Sequence, residues 1–140
     1  MLKLALNAAK SQNEFLLNLA EQARMQEVKT LLYRLAKSES EAVEKITHMM
    51  ATGIVDELEE LASESRDSIP DDKPISPARN DSDPRIFVCN EVLVKSIKIY
   101  TLYLRLATRC KSEIVSRLFE YLANEEKLQI AELRSICGNF

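Results

Sequence analysis

The sequence predicts an all-α protein, a four-helix bundle made of two helical hairpins. Composition supports this class, because the chain of 140 residues has only 2 Gly and 4 Pro and is rich in Leu, Ala, Glu and Lys, which favour helices. Its apolar residues recur at spacings of three and four, as on the buried face of a helix. The length corresponds to a single domain with its own core.

The chain also contains an internal repeat. A shift of 87 positions aligns residues 27–46 with residues 114–133 and pairs Leu31 with Leu118. The same shift aligns the segments upstream of both without a gap. Each unit consists of two amphipathic helices that cannot bury their apolar faces alone, so the two units are expected to form one bundle.

The first hairpin is predicted over residues 1–62. Its first helix covers 2–23, and its second begins near Gln26 and continues, weakened at Gly53, as far as Leu61. The connection between them is so short that the helices should be antiparallel neighbours. The inward positions are Leu2, Ala5, Leu6, Ala9, Asn13, Leu16, Leu17 and Ala20, then Val28, Leu31, Leu32, Leu35, Ala42, Val43, Ile46, Met49 and Met50.

The second hairpin is predicted over residues 87–140, with helices at 87–110 and 112–137. Ser112 is suited to the N-cap position of the last helix, and Gly138 to its C-terminal stop. The inward positions are Val92, Leu93, Ile97, Ile99, Tyr100, Tyr103, Leu104 and Ala107, then Val115, Leu118, Phe119, Leu122, Ile130, Leu133, Ile136 and Cys137.

Residues 63–86 connect the hairpins and differ in character from the rest of the chain. All four prolines lie here, among Asp and Ser, which excludes a helix over 63–85 and makes the segment too polar to be buried. Two interpretations remain open. The segment is either a disordered loop or a long crossover that carries the chain from one end of the bundle to the other.

Charge and cysteine content limit the partners and the compartment. The net charge is −3 with both signs interspersed, which argues against a nucleic-acid-binding surface. No segment has the length of a membrane span or the apolar region of a signal peptide. Cys89, Cys110 and Cys137 form no CxxC pair, so we expect reduced thiols in a cytoplasmic protein. Cys89 and Cys110 should lie about 30 Å apart on one helix and cannot bridge each other.

One stretch resembles a known family. It is a helix, a brief turn and then the pattern EV-x-x-L-L-x-x-LA-x-x-E, read from AAKSQNEFLLNLAEQARMQEVKTLLYRLAKSESEAVEKI. This stretch resembles the rubrerythrin-type unit of the ferritin-like superfamily. The likeness covers residues 1–50 and, more weakly, 89–137. It implies a ferritin-like four-helix bundle, with a centre for two iron or manganese ions held by Glu and Glu-x-x-His motifs.

The chain departs from the family at most ligand positions. The Glu-x-x-His motifs read Glu39 to Ala42 and Glu126 to Gln129, so both histidines are missing. The remaining acids of the family fall on Lys10 and Ile97. The candidate metal ligands are therefore Glu39 and Glu126, with Gln129 as a weak third. This set is poor for two metals, and the paired CxxC motifs of a rubredoxin-like tail are also absent from the sequence.

Lys10 admits two interpretations. Its ammonium group could lie beside Glu39 or Glu126 and replace the metal charge with a buried ion pair. Alternatively, its stem packs while the charged end reaches the surface.

The resemblance and the missing ligands together predict a degenerate rubrerythrin-like protein. It would act as a non-catalytic binding or regulatory module, without a cofactor and as a homodimer, helped by the apolar residues Ile54, Leu58 and Leu61. The alternative is an oxidoreductase or metal-storage protein with iron or manganese on a residual carboxylate site. A third possibility is a helical adaptor that is similar to ferritins by convergence.

Overall fold

The computed structural model describes residues 1–52 and 71–140 of the chain. Four long helices occupy most of this part: α1 (Leu2–Gln22), α2 (Gln26–Thr52), α3 (Pro84–Arg109) and α4 (Glu113–Gly138). A single turn of 3-10 helix covers Pro77–Arg79. The described residues contain no strand, so the all-α prediction is confirmed. The predicted extension of the second helix, with Ile54, Leu58 and Leu61, lies outside the described residues.

The apolar stripes of the four helices meet in one core. Its largest fully buried side chains include Tyr100, Tyr103, Phe119, Leu32, Ile46 and Leu133. Most inward positions predicted from spacing are buried or half-buried, but Leu17 and Met50 are 36% and 47% exposed. Each stands beside a residue that takes the inward position instead, Leu16 and Met49.

The helices pair as two hairpins. In the first, Asn13 Nδ2 on α1 donates to the Ala36 carbonyl oxygen on α2 at 2.7 Å. In the second, Ser116 Oγ at the start of α4 donates to the carbonyl oxygen of Ala107, near the end of α3, at 2.7 Å. The hairpins then pack on each other, α1 against α3 and α2 against α4. The predicted bundle of two hairpins is present in the structure.

Capping fixes where α3 and α4 begin. The Ser112 hydroxyl accepts a hydrogen bond from the Val115 amide, as predicted. Asp83 caps α3 by accepting from the Arg85 amide, and Pro84 occupies the first helical position. The exclusion of helix over 63–85 is therefore wrong at its last two residues, because proline lacks only an N–H that the first turn of a helix does not use. At the other end, α4 includes Gly138 and is capped by Asn139.

Contacts at one end of the bundle give the helix directions. Arg85 Nη1, at the start of α3, lies 3.1 Å from Glu27 Oε1, at the start of α2. Arg85 and Arg79 also donate to the Phe140 carbonyl oxygen, just beyond the end of α4. Helices α2 and α3 therefore run in the same direction. The connection between Thr52 and Pro84 has to join opposite ends of a bundle about 40 Å long, at about 1.5 Å per helical residue.

The described part of this connection, residues 71–83, lies against the second hairpin, and we call it the clasp. Asn90 on α3 accepts from the Ile75 amide at 2.6 Å and donates to the Ile75 carbonyl at 3.1 Å. Arg134 on α4 donates to the carbonyl oxygens of Asp71 and Lys73. Ile75 is only 6% exposed, so the expectation that this segment is too polar to be buried is wrong at that residue. Side chains of the helices satisfy its backbone.

Cys89 and Cys137 form a disulfide between α3 and the last turn of α4. This overturns the expectation of reduced thiols for these two residues. The antiparallel hairpin brings the start of α3 and the end of α4 together, which the spacing of the cysteines along the chain does not reveal. Cys110 remains a free, half-buried thiol.

Among the described helices, none combines the length and the apolar character that crossing a membrane requires.

Candidate functional site: a buried carboxyl pair

Two glutamates lie inside the bundle, where apolar residues would be expected. Glu39 on α2 is 1% exposed and Glu126 on α4 is 2% exposed. Each follows an apolar pair at a spacing of three to four residues, Leu35 and Ala36 before Glu39, so the amphipathic pattern that buries the stripe also buries the acid. The shift of 87 positions that defines the internal repeat pairs Glu39 with Glu126.

Burial and proximity determine the charge of this pair. Desolvation raises the pKa of Glu39, and the hydrogen bond with Glu126 lowers it in part. The pKa of Glu126 lies well above its ordinary value because of burial, the charge of Glu39 and the hydrogen bond with Glu39, while the Ser96 hydroxyl lowers it in part. Two carboxylates this close cannot both ionise cheaply. The hydrogen bond between the two carboxyls requires a proton, and the higher pKa of Glu126 favours Glu126 as the donor to Glu39.

Several polar atoms around the pair have no partner. With both acids ionised, Glu39 Oε1, Glu39 Oε2 and Glu126 Oε1 find no hydrogen-bond donor among the described residues. The hydroxyl of Tyr103 on α3 is also buried without a partner. Burial and the charges of the two glutamates raise the pKa of Tyr103 far above its ordinary value, so its phenol stays protonated. A shared proton supplies one donor to the pair, and a water molecule or a cation would satisfy further oxygens.

Helices α1 and α3 contribute Gln12 and Ser96 in place of acids. Gln12 is 3% exposed and Ser96 is 5% exposed. The bond from Asn13 to Ala36 places Gln12 at the level of the turn of α2 that carries Glu39. Sequence reasoning missed both residues, although both lie on buried stripes, Gln12 between Ala9 and Leu16 for example. The signal was available in the spacing, since each lies three residues after a buried position of its helix, Ala9 and Leu93.

The other predicted site residues lie apart from the buried pair or at its edge. Lys10 is exposed, so the ion pair proposed for it with Glu39 or Glu126 is not formed. The reason is helical phase, because Ala9 and Gln12 take the inward positions of that turn. Ile97 is half-buried, and its neighbour Ser96 faces the core instead. Gln129 is half-buried and its Nε2 donates to Ser38 Oγ at 2.7 Å.

A narrow cleft between α2 and α4 reaches the pair from the surface. Tyr103 and Glu126 contribute to its lining, together with Glu41, Lys45 and Gln129. It encloses about 20 Å³, which is room for about one water molecule or one small ion.

These residues do not fit a two-metal centre. Such centres in helical bundles use a carboxylate from each of two helices and a Glu-x-x-His from each of the other two. Here α1 offers an amide, α3 offers a hydroxyl, and the positions three residues after the two acids are Ala42 and Gln129. Residues 1–52 and 71–140 contain no cluster of three or more His, Cys, Asp or Glu side chains that could hold a metal ion.

Comparisons with known proteins found no match for this chain. No protein-family model matches the chain, and neither curated proteins nor solved structures gave a match. The structure thus defines the class by its own features. It is an all-α bundle of two helical hairpins with a buried carboxyl pair at its centre.

Proposed function

We propose that this protein is a ferritin-like helical module that acts by binding another protein, and that a carboxyl pair takes the place of a two-metal centre. Two features support the ferritin-like assignment. Helices α2 and α3 run in the same direction, which requires a long crossover of the ferritin type. The two acids, Glu39 and Glu126, also lie on α2 and α4 at positions related by the repeat. The resemblance of residues 1–50 to the rubrerythrin-type unit points the same way.

The observation that carries the non-catalytic assignment is the composition of the buried site. The two acids are hydrogen-bonded to each other, with Ser96 and Tyr103 beside them. The buried polar residue that α1 offers is Gln12, neither an acid nor an imidazole. Redox chemistry on two metals needs several anionic ligands and imidazoles whose orientation is fixed by neighbouring groups. The cleft of about 20 Å³ has room for about one water molecule or small ion, so the proposed contact with a partner protein involves the outer surface of the bundle.

A second candidate function is a residual carboxylate site for iron or manganese, in an oxidoreductase or a metal-storage protein. The observation in its favour is the set of three carboxylate oxygens without a donor among the described residues. Gln129 would be the third ligand. Its Nε2 donates to Ser38 Oγ, which leaves its side-chain oxygen for a metal ion. A convergent helical adaptor is the remaining alternative. It differs from the leading proposal in ancestry more than in mode of action.

The homodimer and the cytoplasmic location stay predictions. The apolar residues expected to support a dimer lie outside the described part of the chain. The Cys89–Cys137 disulfide counts against a cytoplasmic location, since disulfides persist mainly in oxidising compartments. Sedimentation of the purified protein at several concentrations tests the dimer.

Metal content separates the two leading candidates. The protein is purified from cells supplied with iron and manganese, beside the variant Glu39→Gln/Glu126→Gln. The matched control is Glu41→Gln/Glu125→Gln, which changes two acids of the cleft that are not fully buried.

We expect no stoichiometric metal in any of these three proteins. Two metal ions per chain, lost only in the first variant, would overturn the proposal and restore the metal site. Capture of a single stable partner by the metal-free protein would support a binding module.

A further inference from the structure

The disulfide joins the two helix ends that hold the clasp. Cys89 lies in the second turn of α3 and Cys137 in the last turn of α4, and the sulfur-bearing side chains are 2% and 0% exposed. Asn90, which follows Cys89 directly, holds the Ile75 backbone through two hydrogen bonds. Arg134, three residues before Cys137, holds the carbonyls of Asp71 and Lys73. Asn90 and Arg134, which hold the first half of the clasp, are therefore both positioned by the disulfide-linked ends.

We infer that the Cys89–Cys137 disulfide is a redox-sensitive latch that keeps the clasp seated, and that its reduction by a dithiol releases the clasp. Because both cysteines are buried, the ends of α3 and α4 must first open transiently to expose a sulfur. The thiolate of the dithiol then attacks this sulfur and forms a mixed disulfide, while the other cysteine leaves as a thiolate and takes up a proton. The second thiol of the dithiol then displaces the remaining cysteine. Two electrons pass from the dithiol, which becomes a disulfide, to the two cysteines, which become thiols.

Reduction is expected to loosen one end of the bundle without unfolding it. The α3–α4 hairpin is held along its length by buried side chains such as Tyr100, Phe119 and Leu133. Reduced cysteines behave as small apolar residues and remain compatible with a core. The clasp has fewer supports, because Ile75 is its one buried side chain and the bonds from Arg134 are exposed. Bonds from Arg79 to Phe140 and between Asn80 and Asn90 hold its second half. Segments with few buried contacts open first.

The clasp is also under local backbone strain. Ser76 has φ 40°, the only positive φ of a non-glycine residue in the described chain. A serine in this region costs free energy that the surrounding contacts must offset. Weakening the ends that carry Asn90 and Arg134 therefore favours release. A released clasp uncovers the apolar surface that Ile75 covers in the oxidised protein.

Hydrogen exchange followed by mass spectrometry tests the latch. The full-length oxidised protein is compared with the protein reduced by dithiothreitol and with Cys89→Ala/Cys137→Ala; Cys110→Ala is the matched control. We expect amide exchange around Ile75 to be about tenfold faster without the disulfide, and unchanged in the control and in the α1–α2 hairpin. An Asn90→Ala variant with the bond intact should show the same local acceleration, which demonstrates that exchange reports clasp release.

Three results would overturn the inference. One is equal exchange around Ile75 in the oxidised and reduced proteins, with thiol titration proving complete reduction. Another is faster exchange over the whole chain, which would make the disulfide a global stabiliser. The third is protein purified without a reductant that titrates with three free thiols, which would mean that the disulfide is not present.

Discussion

Glu39 on α2 and Glu126 on α4 are hydrogen-bonded to each other at the centre of the bundle, with only 1% and 2% of their surfaces exposed. Neither acid has a basic partner, and three of their four oxygens have no donor in the described chain when both are ionised. The fold thus carries a desolvation cost that an apolar pair would not have. This relationship leads to the first three predictions.

Replacing both acids by an apolar residue of similar length should stabilise the protein. For Glu39→Met/Glu126→Met we expect a gain in the free energy of unfolding of about 1–3 kcal/mol, because both partners of a buried polar pair are removed together. Urea unfolding measures it. The control Glu41→Met, at an exposed position of α2, should change stability by less than about 0.5 kcal/mol. A clear loss of stability in the double variant would show that the pair is satisfied by a bound group.

The pair should make stability fall as pH rises. The pKa values of both acids are raised above the ordinary 4.5, so the folded protein holds protons that the unfolded chain releases. Their contribution is complete below about pH 4.5 and is lost as pH rises through the folded pKa values. Urea midpoints measured across this range should decline in the wild type. The decline should disappear in Glu39→Met/Glu126→Met, and its persistence there would assign it to other groups.

Removing the phenol oxygen of Tyr103 should not harm the fold. Its hydroxyl is buried without a partner in the described chain, so Tyr103→Phe deletes a desolvated group and no hydrogen bond. We expect a change between zero and a gain of about 1 kcal/mol. Tyr33→Phe, at a side chain 46% exposed, is the matched control. A loss above about 1 kcal/mol would mean that the hydroxyl donates to the carboxyl pair or to a water molecule beside it.

Asp83 should give the opposite dependence on pH. Its hydrogen bonds with the Arg85 side chain, and then those with the Arg85 amide and Arg79, lower its pKa from 3.8 to about 2. A group with a lowered pKa contributes stability above the unfolded value, and this is lost as pH falls through the folded value. Asp83→Ala should therefore lower the thermal midpoint at neutral pH, and the difference from wild type should shrink between pH 3.8 and about 2. An undiminished difference would assign the effect to helix capping alone.

The clasp contributes to stability through one side chain. Ile75 is 6% exposed, so Ile75→Ala should destabilise the protein by about 2–4 kcal/mol, reduced where the clasp can collapse into the space. Ile114→Ala, at a side chain 53% exposed, is the control and should have little effect. Urea unfolding measures both. Equal effects of the two changes would mean that the clasp adds nothing to the core.

Much of the fold could be predicted from the sequence because helices are encoded locally. The spacing of Leu31, Leu35 and Ile46 identifies a buried stripe whatever it packs against. The Ser112 cap is equally local, since the donor lies three residues away in the same turn. The resemblance to the rubrerythrin-type unit pointed to Glu39 and Glu126, and the repeat places these two acids at matching positions.

What only the tertiary structure decided depends on pairs of residues far apart in the chain. The disulfide between Cys89 and Cys137 depends on the meeting of two helix ends 48 residues apart. Ile75 can be buried because Asn90 forms hydrogen bonds with its backbone amide and carbonyl. No local sequence pattern identifies Asn90 as that partner. Periodicity specifies the face that a helix buries, whereas the groups that meet across that face are determined only when the hairpins pack.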